Sequence, residues 1–205
     1  MLVIIDYGMG NLRSVKKAFD RIGVESVIST SFNDIENASK LILPGVGNFK
    51  NGMENINSRG LVQLLNKQVI QERVPILGIC LGMQLFTARS EEGNVQGLNW
   101  LDAQTVKFSS LKKGLKIPHM GWNNLVVQKK DSVLNEIETE NSFYFVHSYY
   151  VQCNNSADVL STTDYGGEFV SSLQKNNITG MQFHPEKSHS SGLKVLRNFG
   201  SSSND

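Results

Sequence analysis

Apolar residues in the first half of the chain alternate between short unbroken runs and stretches in which they recur every three or four positions. Leu2-Val3-Ile4-Ile5 is a continuous run, the pattern of a strand buried on both faces. Over residues 11–22 the apolar positions are Leu12, Val15, Ala18, Phe19 and Ile22, which predicts an amphipathic helix stopped by Gly23. A strand around Val27, a strand at 41–43, helical material from about 51 to 71, a strand at 76–79 and a helix after Cys80 continue the alternation. Repeated β-α order predicts an α/β fold with a mostly parallel central sheet flanked by helices.

From Thr105 onward the signals change to short strands and turns, at 143–151, 158–163, 169–174 and 180–183. They predict antiparallel strands added to the same sheet. A last helix is expected over 190–199, and Gly200-Ser201-Ser202-Ser203-Asn204-Asp205 reads as a frayed tail. With no internal repeat and no linker, the 205 residues suit a single domain over 1–205.

Composition narrows the class. Twenty basic and nineteen acidic residues give a formal net charge of +1, with no basic block, so neither nucleic acid nor an anionic membrane is expected as a partner. No apolar run approaches membrane-spanning length. Two cysteines do not make a disulfide framework, and Cys153 reads as a packed strand residue. A cytoplasmic location fits this usage.

The chemistry concentrates at the end of the run Val74-Pro75-Ile76-Leu77-Gly78-Ile79-Cys80-Leu81-Gly82. A strand that ends in a cysteine flanked at two-residue spacing by glycines has the form of a nucleophile elbow, in which a sharp strand-to-helix turn holds the nucleophile under backbone strain. The competing reading of Cys80 is a small buried apolar residue. A second segment, Met181-Gln182-Phe183-His184-Pro185-Glu186, shifts the balance. At the end of an apparent strand, period-two geometry puts His184 and Glu186 on one side of the chain, and Pro185 ends the ladder. A nucleophile, a base and a group to orient the base are then all present: Glu186 accepts from one ring nitrogen and the other serves Cys80.

Pro44-Gly45-Val46-Gly47 follows the third strand and emerges, like Cys80, at the carboxyl ends of the strands, where open α/β sheets bind ligands. An ordinary Pro-Gly turn is the alternative. Asp6, Gly8, Gly10 and Asn11 make a turn near the site or a partner surface. They are a poor nucleotide fingerprint, because Arg13 stands where the third glycine belongs. The four histidines are scattered and no metal-ligand spacing appears, so no metal and no cofactor are expected.

Gly78-Ile79-Cys80-Leu81-Gly82-Met83-Gln84 with Phe183-His184-Pro185-Glu186-Lys187-Ser188 resembles the class I, triad glutamine amidotransferases. Ile5 to Leu12, Leu43 to Phe49, Pro118 to Asn123 and Tyr144 to Tyr149 resemble, more narrowly, the glutaminase subunits of imidazole glycerol phosphate synthases. The resemblance implies hydrolysis of L-glutamine to glutamate and ammonia through a thioester on Cys80, with His184 and Glu186 completing the triad. It implies oxyanion donors from the Gly45-Val46-Gly47 loop and from Leu81, substrate contacts from Gln84, Ser148 and Tyr149, and a partner-facing surface near Asn11, Met120 and Trp122. The partner it implies is a cyclase subunit that uses the ammonia to form imidazole glycerol phosphate and aminoimidazole carboxamide ribotide in histidine biosynthesis. Two alternatives stay open from the residues alone: a paralogous glutaminase feeding a sugar amidotransferase of surface-polysaccharide synthesis, and, more remotely, a cysteine peptidase or γ-glutamyl hydrolase.

Overall fold

A computed structural model describes residues 1–109, 115–130 and 132–201. Its first half follows the predicted alternation: β1 (Leu2–Ile5), α1 (Leu12–Arg21), β2 (Ser26–Ser29), α2 (Phe32–Glu36), β3 (Lys40–Gly45), α3 (Phe49–Ser58), α4 (Leu61–Asn66), β4 (Ile76–Cys80) and α5 (Leu81–Leu85). The material predicted over 51–71 is two helices, divided at Gly60, whose φ of 68° is in the left-handed region, and followed by a π-helical turn at Lys67–Gln71. Helix α2 had no sequence expectation; Ser31 caps it by accepting from the Asp34 N–H.

The second half supplies β5 (Arg89–Ser90), β6 (Val95–Gln96), β7 (Ala103–Lys107), β8 (His119–Asn124), β9 (Val126–Val127), β10 (Ser142–His147), β11 (Tyr149–Cys153), β12 (Val159–Asp164), β13 (Glu168–Lys175), β14 (Ile178–Met181) and α6 (His189–Ser201). Among the described residues the main sheet runs β2-β1-β3-β4-β14-β13-β11-β7-β5-β6. Its centre, from β2 to β14, is parallel. Beyond β14 the pairings with β13, β11 and β7 are antiparallel.

Successive side chains of the parallel strands point to opposite faces, so one strand feeds two cores. Val3, Ile5, Leu41 and Leu43 join Phe49, Met53, Ile56, Leu61 and Leu64 of α3 and α4. Leu2, Ile4, Ile42 and Leu77 meet Val15 and Phe19 of α1 and Val195, Leu196 and Phe199 of α6. Full burial of each such aliphatic side chain is worth about 1.5–3 kcal/mol, which is why the continuous apolar runs become the middle of the sheet.

Two expectations are corrected. The strand predicted over 143–151 is broken at Ser148. Its first part, β10, pairs with β8 in a separate two-stranded ribbon, and its second, β11, pairs with β7 in the main sheet. The alternating pattern runs through both parts, so periodicity does not mark the break. Gly200 and Ser201, expected in a frayed tail, are helical. The Lys40 ammonium donates to the carbonyls of Phe199 and Gly200 at 2.7 and 2.9 Å, satisfying the last turn of α6 from 160 residues away. Residues 202–205 of the expected tail lie outside the described residues.

Candidate active site

Cys80 is the last residue of β4 and the N-cap of α5, with φ 54° and ψ −107°. That is a costly conformation for a side chain other than glycine, and it persists because the surroundings leave no alternative. A Cβ on Gly82 would lie 1.8 Å from the Leu43 carbonyl oxygen, and one on Gly78 would lie 2.6 Å from the Met83 nitrogen. The glycines at both sides of Cys80 therefore let α5 press onto β3 and β4, as the spacing predicts. In the parallel register Gly45 is the partner of Cys80, which places Val46 and Gly47 directly beside the elbow. There the first N–H groups of α5, beginning with Leu81, have no partner within the helix.

His184 and Glu186 are brought to the same place by β14, which lies next to β4. The pair lies just beyond that strand, at the exit that Pro185 implies. Strand β14 ends at Met181, and His184 starts a 3₁₀ turn at Pro185–Lys187. Proline removes a ladder donor and presets the φ of a turn, so the chain bends there while still directing both side chains inward. His184 Nδ1 lies 2.8 Å from Glu186 Oε1, and both side chains are only 1% exposed. The Ser188 hydroxyl locks the turn, donating to the His184 carbonyl at 2.6 Å and accepting from the Tyr144 N–H at 3.0 Å.

The other ring nitrogen, Nε2 of His184, is buried with no hydrogen-bond partner. Burial by itself lowers the basicity of His184, but the charge of a Cys80 thiolate, reinforced by Glu186, outweighs it and pushes the pKa up to about 10. We attribute that rise to attraction across the gap and not to a formed Cys80–His184 hydrogen bond, because Nε2 is unbonded in this geometry. The sulfur is anchored otherwise: Gln182 Nε2 donates to it at 3.6 Å, and the thiol faces the Val146 carbonyl at 3.9 Å.

Cys80 opens into a cavity of about 290 Å³ lined by Val46, Gly47, Leu81, Gln84, Glu92, Pro118, Val146, His147, Ser148 and Tyr149. Six predicted positions around Cys80 thus converge: Val46, Gly47, Leu81, Gln84, Ser148 and Tyr149. Gly45 lies just behind, where an added Cβ would meet Leu81 and the Tyr7 hydroxyl at 2.7 Å. Gln84 is buried, and its amide nitrogen already donates to the Tyr149 carbonyl at 2.9 Å and to Gln182 at 3.0 Å. Its carbonyl oxygen is what remains for a ligand. Asn11, Met120 and Trp122 are absent from the lining. Asn11 is the residue that precedes α1, its side chain making no capping hydrogen bond, while Met120 and Trp122 stand 62% and 48% exposed on β8, with the Trp122 indole stacked on His189 at 4.9 Å.

Three features escaped the sequence reading. Glu92 reaches the cavity from the β5–β6 turn and accepts from the Phe49 N–H at 2.7 Å; in sequence it is one of two adjacent glutamates without periodicity. Gln182 was legible in principle, since it stands two residues before His184 inside an apolar run. The third is a buried pair, His119 and His147, with Nδ1 of the first 2.9 Å from Nε2 of the second.

The match to known proteins agrees with this geometry. The family model for class I glutamine amidotransferases fits residues 3–202, and the chain belongs to that family. Solved structures share the fold: PurLQS from Thermotoga maritima superposes with a TM-score of 0.73 at 19% identity, covering 97% of this chain and 96% of that one. A glutamine amidotransferase from the same organism gives 0.67 at 14% identity, over 98% of each chain. Much nearer in sequence are the imidazole glycerol phosphate synthase subunits HisH 2 of Methanococcus maripaludis and HisH 1 of Campylobacter jejuni, 50% and 49% identical over 97% of this chain and 98% of each of theirs. HisH of Geobacter sulfurreducens is 44% identical, covering 97% of both. Within the amidotransferases the chain is therefore a member of the HisH glutaminase family, and the peptidase and γ-glutamyl hydrolase readings fall away.

The histidine pair has a measurable consequence. Burial pushes His119 down to about 4; burial, aided by the charges of His119 and His184 and opposed by the bond to the Tyr149 carbonyl, pushes His147 down to about 3. In the unfolded chain both titrate near 6.5, so below that pH the unfolded state binds protons that the fold refuses, and stability falls. His184, raised instead, gives stability that is complete below about 6.5 and lost as the pH climbs through about 10, so the two effects occupy separate windows. The melting temperature is expected to drop as the pH is lowered from about 6.5 towards about 4. A flat profile there would show that the pair takes up a proton without cost.

Proposed function

We propose that Cys80, His184 and Glu186 form the catalytic triad that hydrolyses the side-chain amide of L-glutamine. The observation that carries this reading is the buried His184–Glu186 pair, whose free Nε2 lies beside a cysteine held in strained backbone geometry on the cavity wall. The Cys80 thiolate attacks the amide carbon, and the oxyanion is met by N–H donors from Leu81 and from the Val46-Gly47 segment. His184 gives its Nε2 proton to the departing nitrogen, the C–N bond breaks and ammonia leaves a glutamyl thioester. Water, deprotonated by His184, attacks the thioester and releases glutamate and the thiolate. Glu186 keeps Nδ1 protonated throughout, which leaves Nε2 as the nitrogen that exchanges protons.

Recognition of the amino-acid end falls to groups on the cavity wall. The Gln84 carbonyl oxygen and the Glu92 carboxylate suit the α-ammonium, and main-chain groups of Ser148 and Tyr149 suit the α-carboxylate. Residues 1–205 act as one glutaminase domain with no cofactor. No helix among the described residues is long and apolar enough to cross a membrane, in keeping with a cytoplasmic biosynthetic enzyme.

Ammonia in neutral water is mostly ammonium and a poor nucleophile, so a glutaminase of this family is useful only when the product is handed on. The HisH relatives are named as subunits of imidazole glycerol phosphate synthase, which supports a partner subunit; in this proposal the partner is the cyclase, where the lyase chemistry takes place, the two form a heterodimer, and ammonia crosses between them by a closed passage in histidine biosynthesis. The exposed Met120 and Trp122, together with Asn11 at the start of α1, are the partner-facing residues in this reading.

Glutamate release from glutamine by the purified chain, alone and with the cyclase plus its nucleotide substrate, tests both levels. Strong stimulation by the cyclase, lost in Cys80→Ala, is the expected result. Cys80-dependent hydrolysis indifferent to the cyclase keeps the glutaminase and moves the ammonia to another acceptor, such as a sugar amidotransferase. No hydrolysis in either setting removes the enzymatic role of Cys80.

A further inference from the structure

We propose that Gln182 is an electrostatic partner of the nucleophile, its side-chain N–H holding the Cys80 sulfur as a thiolate in an orientation imposed by a chain of hydrogen bonds that starts at the Tyr149 carbonyl. This rests on Cys80 being the nucleophile. Gln182 is wholly buried, so its amide has no water to turn towards and its direction is set by its neighbours.

Those neighbours leave one arrangement. The Tyr149 carbonyl can only accept, so the Gln84 side chain must present its amide nitrogen there, at 2.9 Å. The same nitrogen, 3.0 Å from Gln182, must meet the Gln182 carbonyl oxygen. The Gln182 nitrogen is thereby turned to Cys80 Sγ, at 3.6 Å. The Tyr149 carbonyl also takes the Nδ1 proton of His147 at 2.8 Å, which makes His147 Nε2 the acceptor for His119 Nδ1–H at 2.9 Å. His119 Nε2 in turn accepts from the Asn123 amide at 3.4 Å. Both histidines are buried, so this order is not scrambled by solvent.

The environment of the sulfur gives the donor its purpose. The Val146 carbonyl, at 3.9 Å, favours the protonated thiol, which can donate to it, and repels a thiolate. The Gln182 N–H favours the opposite state. Hydrogen bonds to ionised groups are about twice as strong as neutral ones, so this donor counts for more once the proton has left. Its loss removes the side-chain hydrogen bond that opposes the carbonyl.

The experiment is the pH dependence of Cys80 alkylation by iodoacetamide in the full-length chain, with glutamine kinetics measured alongside. In Gln182→Met, which keeps the volume and removes the donor, the pH of half-maximal alkylation is expected to rise by about one unit, and kcat to fall about tenfold with KM within about twofold of the parent. Gln182→Glu keeps the shape and directs an oxygen at the sulfur; it shifts the profile the same way and carries the test if Gln182→Met does not fold. Superimposable profiles for parent and variant overturn the role of Gln182. A parent chain in which Cys80 shows no selective alkylation overturns the nucleophile assignment beneath it.

Discussion

Replacing His184 by asparagine is expected to reduce glutamate release about 10⁴-fold while leaving the fold in place, because the variant removes proton transfer and little else. An asparagine amide can still donate to Glu186 Oε1, now 2.8 Å from the ring, so the buried carboxylate keeps a partner and the turn held by Ser188 remains closed. What disappears, under the proposed mechanism, is the proton that Nε2 delivers to the leaving nitrogen and the positive charge facing Cys80. The rate of Cys80 alkylation near neutral pH should fall in parallel, since both depend on the same imidazolium. Glutamate release lowered by less than about tenfold, with the variant folded by circular dichroism, would assign the proton transfer to some other group.

The second large effect is on stability. Gly82→Ala is expected to destabilise the protein by about 4 kcal/mol or more, lowering its melting temperature by roughly 8–16 °C. The added methyl would sit 1.8 Å from the Leu43 carbonyl oxygen and 2.9 Å from the Leu43 carbonyl carbon. Both are main-chain atoms of a central strand and cannot rotate away as a side chain would. Helix α5 has to lift from β3, which releases the strain on Cys80 and separates Leu81 from the Val46-Gly47 segment. Gly167, around which a new Cβ meets nothing within 4 Å, is the matched control, and Gly167→Ala should melt with the parent. A Gly82→Ala protein as stable and active as the parent would mean that the elbow does not need its close approach.

What the sequence made legible was local. The glycines around Cys80 reveal the elbow because they lie within two residues of the strain they relieve, and His184 and Glu186 reveal each other for the same reason. The parallel sheet was legible because strands buried on both faces must be apolar throughout, as Leu2 to Ile5 and Ile76 to Ile79 are. Illegible features join distant segments. Nothing near Lys40 announces that its ammonium will cap α6, and nothing near Glu92 that the β5–β6 turn folds back to the cavity. The break at Ser148 was hidden because alternation continues across it while the hydrogen-bond partner changes from β8 to β7. His147 is a strand histidine, and its tie to His119 needed the ribbon to be paired before it could be seen.

Strand order also decides when this chemistry can begin. Strand β14, the last strand among the described residues, slots between β4 and β13, and only the turn behind it carries His184 and Glu186. A chain emerging from the ribosome therefore presents Cys80 more than a hundred residues before its proposed base. Until β14 arrives, β4 has an open edge and the Cys80 thiol lacks the His184 imidazole, so under the proposed mechanism an incomplete translation product holds the nucleophile without the means to hydrolyse glutamine.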